Sequence, residues 1–329
     1  MSSSERGCVI TGWGKDLPET VVTNKDITAL FDTSDEWIVE RTGIRTRHHA
    51  LGPFVTDPPD QHAPDGVGTT ARMSVAAGQR ALEAAGRQPS DMDMLIVCTT
   101  TPDQMTPATS APASAILGIA GGAMDVNAAC AGFTYGLVTA AGLITMGLDR
   151  VLLVGADTLT RMTNFEDRTN AFLFGDGAGA VVVEAVAGPG SLLGWDLGVD
   201  GSLTPLLYAN HGFGMVMRGQ EVFRRAVRAT VDSARTSMEQ AKVTADDIAL
   251  FVPHQANIRI MDAAADRIGL PRERVASVIA ETGNTSAASI PLALVDAAER
   301  RRLKDGDLVL LAGFGAGMTW ASAVWRWGS

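Results

Sequence analysis

One side chain in this sequence suits covalent chemistry, Cys130, and two polar side chains, His254 and Asn284, could complete a site around it. Cys130 lies in DVNAACAGFTYGL, between a short strand (123–126) and a helix expected to run to about Met146. A thiol at a helix N-terminus feels the positive end of the dipole, which favours the nucleophilic thiolate. The small neighbours Ala128, Ala129, Ala131 and Gly132 allow a sharp turn and close approach of a substrate. A lone cysteine is more often an inert core residue. That reading fits Cys8 and Cys98, which sit within or at the end of apolar strands.

His254, in FVPHQANIRI, lies just past the strand IALFV, at the strand end where open α/β sheets place ligands. Asn284, in ETGNTSAASIP, precedes a helix whose N-cap is expected at Thr285 or Ser286. An asparagine there is ordinarily a cap or turn residue, and a lone histidine is ordinarily structural. His48, His49, His62 and His211 have no spaced partners for a metal, so no metal site is expected.

An internal repeat brings the three together. EAAGRQPSDMDMLIVC (83–98) aligns without a gap on EQAKVTADDIALFVPH (239–254). AACAGFTYGLVTAAGLITMGLDRVLLVGA (128–156) aligns on SAASIPLALVDAAERRRLKDGDLVLLAGF (286–314). Each copy has an alanine-rich helix, a charged turn and an apolar strand, in the same order. Cys130 and Asn284 then occupy equivalent strand-to-helix corners, and His254 is the counterpart of Cys98.

Buried strands are expected at 8–14, 94–99, 151–156, 180–186, 248–252, 308–314 and 320–327. Helices are expected around 69–86, 131–146, 219–241, 256–268 and 287–302. The alternation predicts an α/β fold of two duplicated βαβαβ-type halves, 1–186 with the cysteine and 187–329 with the histidine and asparagine. The proline-rich stretch 51–66 reads as a loop. GDGAGA (175–180) and GFGAG (313–317) lack the dinucleotide spacing and lead into strands, so they read as close-approach turns.

The 329 residues are 46% hydrophobic and 19% charged, a globular composition. The net charge is −10, with no basic run of the kind nucleic acid requires. Three unevenly spaced cysteines argue against a disulfide framework. No apolar run reaches the ~20 residues of a membrane span, and the polar N-terminus lacks a signal core. A cytoplasmic location is expected.

Across nearly its whole length the chain resembles the ketoacyl-acyl-carrier-protein synthase III family, condensing enzymes with a thiolase-like fold. The motifs are TSDEWIVERTGIRTRH (33–48), NAACAGF (127–133), DRTNAFLFGDGAGAVVV (167–183), EVF (221–223), HQANIRI (254–260), GNTSAASIP (283–291) and GFGAGMTWAS (313–322). The resemblance implies a layered α-β-α-β-α architecture, a homodimer, and no permanently bound cofactor. It implies that Cys130 is acylated by an acyl-CoA. His254 and Asn284 then promote loss of CO₂ from a malonyl thioester, on carrier protein or on CoA. The backbone N–H groups of Cys130 and Ala316 would form the oxyanion hole. Trp37, Arg41, Arg168, Asn257 and Arg259 would hold the CoA or carrier arm, and Phe314 would stand beside the nucleophile. Arg41, Arg218, Arg224, Arg225 and Arg259 would give an acidic carrier a local basic patch.

The chain departs from the family pattern in places. Ala316 replaces a usual glycine, and Thr106 stands where some members place a phenylalanine in the partner's acyl pocket. A small residue there leaves room for a longer or branched chain. The 51–66 loop is longer than expected, and 201–216 is compact. A thiolase proper would need a second cysteine near the C-terminus, and none follows Cys130. A transferase or condensing enzyme of specialised metabolism, acting on a non-malonyl acceptor, stays open. A catalytically silent scaffold is disfavoured by retention of all three residues.

Overall fold

The computed structural model describes residues 6–55, 68–210 and 214–328. Most of the 51–66 loop, with His62, and His211 within 201–216, therefore lie outside the described residues.

The elements are β1 (Arg6–Asp16), β2 (Val21–Thr23), α1 (Asn24–Thr28), α2 (Asp35–Thr42), β3 (Thr46–His48), α3 (Thr69–Ala85), β4 (Met94–Cys98), α4 (Ser110–Leu117), β5 (Gly122–Val126), α5 (Gly132–Thr145), β6 (Arg150–Thr158) and β7 (Asp176–Ala187). There follow β8 (Leu192–Val199), β9 (Leu207–Tyr208), β10 (Val216–Met217), α6 (Gly219–Ala241), β11 (Ile248–Pro253), α7 (Ile258–Ile268), α8 (Ile279–Thr282), α9 (Ser289–Glu299), β12 (Leu308–Gly315) and β13 (Thr319–Arg326).

Two sheets form the frame. One has the order β1-β7-β6-β4-β5, the other β11-β12-β13-β8. In the first, β4 runs parallel to β5 and β6; in the second, β11 runs parallel to β12. Side chains alternate across each sheet with period two. Val181 and Val183 of β7 and Val151 and Leu153 of β6 enter a central core with Phe133 and Leu137 of α5 and Ile290 and Leu294 of α9. Leu311 and Trp325 of the second sheet join the same core. The intervening Leu152, Val154, Ala180 and Val182 pack on α3 instead. Phe251, Leu310 and Val324 pack on α6 and α7. The layers are therefore α3 and α4, first sheet, α5 and α9, second sheet, α6 and α7, the five-layered α-β-α-β-α thiolase fold.

The repeat is incomplete at one edge. Among the described residues the second sheet has no fifth strand: beside β11, where β5 would correspond, Val275 makes an isolated parallel bridge with Phe251, and the short helix α8 follows. The sequence reading also passed over β8, a half-exposed edge strand in which Gly194 alone is buried. Its glycines and aspartate lack the apolar run that marks buried strands. Among the described residues, no helix is long and apolar enough to cross a membrane.

Candidate active site

Cys130 sits on a tight turn between β5 and α5. Ala129 takes a left-handed φ of 49°. The N–H of Ala131 donates to Ala128 O (3.2 Å) and that of Gly132 to Ala129 O (2.9 Å). The helix itself starts at Gly132 with Ala131 as N-cap, so Cys130 stands one residue ahead of the cap rather than opening the helix. The end of β12 presses on this turn. A Cβ on Gly315 would lie 2.5 Å from the Cys130 nitrogen and 2.7 Å from Ala129 Cβ. Glycine is required there for close approach, since its own backbone is extended.

Burial opposes the pull of the helix dipole toward the thiolate. Cys130 keeps partial exposure to the cleft, but burial pushes its thiol from 9.0 up to about 12, while a hydrogen bond with Ser286 pulls the other way. A helix dipole contributes about 0.3–1 kcal/mol, at most about 2. That is under about 1.5 pKa units, too little to reverse the effect of burial. Cys8 and Cys98 are buried in the core, and their thiols are raised by burial alone or chiefly by it.

His254 follows the last residue of β11, and its N–H donates to Ala312 O (2.8 Å). Its Nδ1 lies 2.6 Å from Ser289 Oγ. The ring meets Phe314 edge-on, with centroids 5.4 Å apart. Desolvation drives its pKa down to about 3, so the imidazole is neutral at any physiological pH. Behind it, the buried Gln255 donates to Pro253 O (2.7 Å) and accepts from the Val278 N–H (3.0 Å), which anchors the corner.

Asn284 is held by backbone bonds to the other half. Its N–H donates to Leu173 O (2.8 Å), and its carbonyl accepts from the Gly175 N–H (3.0 Å). Its Oδ1 accepts the Ser286 N–H (2.9 Å), which assigns the amide oxygen, and Nδ2 makes no hydrogen bond among the described residues. Thr285 is the N-cap of a 3₁₀ turn at 286–288, without a side-chain hydrogen bond, and α9 itself is capped by Ala288.

Cys130, His254, Asn284 and Phe314 line one cleft of about 320 Å³, together with Gly315. Its outer lining includes Trp37, Arg41, Asn257 and Arg259. Trp37 is 38% exposed. It packs edge-on against Phe172, and the Arg41 guanidinium lies 4.9 Å from its ring centroid. Arg259 lies over Phe223 at 5.9 Å. Asn257 spends both ends of its amide on the protein: Oδ1 accepts the Arg259 N–H (2.9 Å) and Nδ2 donates to Arg41 O (2.9 Å). It ties the backbone of Arg41 in α2 to that of Arg259 in α7. Ala316 follows Gly315 and begins a 3₁₀ turn. Arg168 is exposed on a turn next to the cleft residue Thr169, and is not itself part of the lining. Thr106 is exposed in a loop and likewise stands outside this cleft.

The family model described as 3-oxoacyl-[acyl-carrier-protein] synthase III matches residues 124–201, and its C-terminal model matches 238–327. The β-ketoacyl-[acyl-carrier-protein] synthase III of Geobacillus kaustophilus is 44% identical over 324 residues, 98% of this chain and 99% of that one. The chain belongs to the 3-oxoacyl-[acyl-carrier-protein] synthase III family. The synthase III structure from Aquifex aeolicus superposes with a TM-score of 0.90 at 38% identity, covering 98% of this chain and 100% of that one. The priming β-ketosynthase of the R1128 polyketide pathway gives 0.87 at 37%, covering 98% and 97%.

This synthase III chain is thus a condensing enzyme of the acyltransferase class. The sequence reading missed the residues that aim its polar groups. Ser289 touches the His254 ring, and Asp157, fully buried, accepts the Ala287 N–H at 2.8 Å. Both stand within apolar or small-residue runs, where a serine or aspartate carries no spacing signal.

Proposed function

We propose that this chain joins an acyl group from acyl-CoA to a malonyl thioester, giving a 3-ketoacyl thioester, CO₂ and free CoA. The supporting observation is the convergence of Cys130, His254 and the outward amide of Asn284 on one cleft. In the first half-reaction Cys130 Sγ attacks the acyl-CoA carbonyl, the C–S bond to CoA breaks, and the thiol's proton passes to the departing CoA sulfur, so that CoA leaves as the thiol. In the second, the bond between the malonyl α-carbon and its carboxylate breaks, and CO₂ leaves. The electron pair passes into the thioester, whose enolate oxygen is held by donors from His254 and Asn284. The α-carbon then attacks the acyl-Cys130 carbonyl. The backbone N–H groups of Cys130 and Ala316 hold the oxyanion, and Sγ is expelled to take up a proton.

Trp37, Arg41 and Arg259 are assigned to the CoA or carrier arm, with Arg168 as an outer contact and Asn257 as the residue that ties the backbone of Arg41 to that of Arg259. Exposed Arg218, Arg224 and Arg225 extend that basic patch over the start of α6. We assign the malonyl group to a carrier protein on that ground. The same reading includes a cytoplasmic homodimer paired through the open edge of β5, with Thr106 of each copy facing the partner's acyl pocket. It also divides the chain into halves at 1–186 and 187–329.

Intact mass after incubation with a series of acyl-CoAs is the test. An acyl-sized gain that disappears in Cys130→Ala supports the first step and ranks the starters. Release of ¹⁴CO₂ from malonyl thioester then separates condensation from transfer to a non-malonyl acceptor.

A further inference from the structure

The Nδ1 of His254 faces a hydroxyl, and that hydroxyl has few choices. Ser289 Oγ is completely buried at the first position of α9. It already accepts the Gln255 N–H at 3.3 Å. A hydroxyl has one proton and two acceptor sites. Among the described residues, the acceptor within hydrogen-bond reach of that proton is Nδ1 of His254, at 2.6 Å. In the reverse arrangement Nδ1–H would donate to Oγ. Oγ would then accept twice, and its proton would be buried with no partner, at a cost of about 1–3 kcal/mol.

We propose that Ser289 is a positioning residue that donates to Nδ1 and holds His254 as the Nε2–H tautomer, so that the ring offers the cleft a donor and not a lone pair. Asn284 is set in the same sense from the same segment. The Ser286 N–H occupies its Oδ1 and leaves Nδ2 as the outward group. Six residues, Asn284 to Ser289, thereby bias both polar groups of the cleft toward donation. Two donors match an enolate oxygen and neither can take a proton from Cys130. The catalytic consequence rests on the condensing reading above; the tautomer does not.

The test uses full-length, ligand-free protein with ¹⁵N-labelled histidine at neutral pH. The signals of His254 are identified by their loss in His254→Asn. The expected wild-type spectrum has the proton on Nε2 and the shift of a hydrogen-bonded acceptor at Nδ1. In Ser289→Ala the Nδ1 signal should move to that of an unbonded nitrogen or of a tautomer mixture, and Ser289→Thr should restore it. Decarboxylation of the malonyl thioester should fall by at least about tenfold in Ser289→Ala, toward the hundredfold or more that loss of a whole donor costs. Acylation of Cys130 should change by less than about threefold, because no donor to the enolate enters that step. A wild-type proton on Nδ1 overturns the proposal whatever the activity, and so does equal loss in both half-reactions. A wild-type Nε2–H tautomer in a protein that releases no CO₂ would instead support Ser289 as proposed and overturn the condensing reading.

Discussion

Asp157 Oδ2 accepts the backbone N–H of Ala287 at 2.8 Å, a bond that joins the end of β6 to the turn following Asn284. Its other oxygen accepts from the N–H and hydroxyl of Thr100 (2.7 and 2.9 Å), and likewise from Thr101 (3.1 and 2.9 Å). The carboxylate is fully buried. Burial raises its pKa, and the donors around it hold it down. The backbones approach so closely that a Cβ on Gly155 would lie 2.4 Å from Ala287 O. The first half thus sets where the second half's asparagine stands.

Removing that carboxylate should loosen both the fold and the site. Asp157→Ala leaves the N–H groups of Thr100 and Ala287 without their acceptor, while the Thr101 N–H keeps Thr99 Oγ1 at 3.0 Å. At about 1–3 kcal/mol for each of the two, a stability loss of about 2 kcal/mol or more is expected in the denaturant midpoint. Decarboxylation should suffer more than acylation, because Asn284 moves relative to Cys130. A midpoint within about 0.5 kcal/mol of wild type, the range of neutral surface changes, would show that the bonds carry no such role.

The thiol of Cys130 should behave as a protonated group. With a pKa pushed up to about 12, its thiolate fraction rises about tenfold per pH unit throughout the neutral and alkaline range. Alkylation by iodoacetamide in free enzyme should follow that slope from pH 6 to 9 without levelling. Cys8 and Cys98 are 3% and 0% exposed and should not contribute. A plateau below pH 8 would mean that the helix dipole, not burial, sets the thiol.

The contact between Gly315 and Cys130 predicts an intolerant position. Its backbone is extended, so alanine meets no conformational barrier. The added methyl meets the Cys130 nitrogen and Ala129 Cβ. Gly315→Ala should therefore displace the nucleophile's turn, costing about 1–3 kcal/mol of stability and slowing acylation. The acyl-enzyme formation rate, read by mass, checks it. Full activity in that variant would mean that the turn can shift without consequence.

Much of this was legible in the sequence because it depends on local pattern. The apolar runs of β4, β6, β7, β11 and β12 and the 3.6-residue periods of α3, α5 and α6 each identify an element from a dozen neighbouring residues. The repeat between 83–98 and 239–254 has its counterpart in the frame: Cys98 ends β4 and His254 stands one residue past the end of β11, each strand having a parallel partner. Cys130, His254 and Asn284 are legible together because the repeat and the motifs NAACAGF, HQANIRI and GNTSAASIP place them at matching strand ends.

What only the tertiary structure decided are the quantities set by distant contacts. Whether Cys130 rests as thiol or thiolate depends on how much protein surrounds it, and burial outweighs the dipole that the sequence pattern suggests. That the second sheet has four strands among the described residues, with an isolated bridge where β5 would correspond, appears only when strands pair. The outward face of Asn284 is chosen by the Ser286 N–H, and the ring nitrogen of His254 that remains free is chosen by Ser289, 35 residues away. Residue type states which groups can donate or accept. Packing decides which of them are already taken.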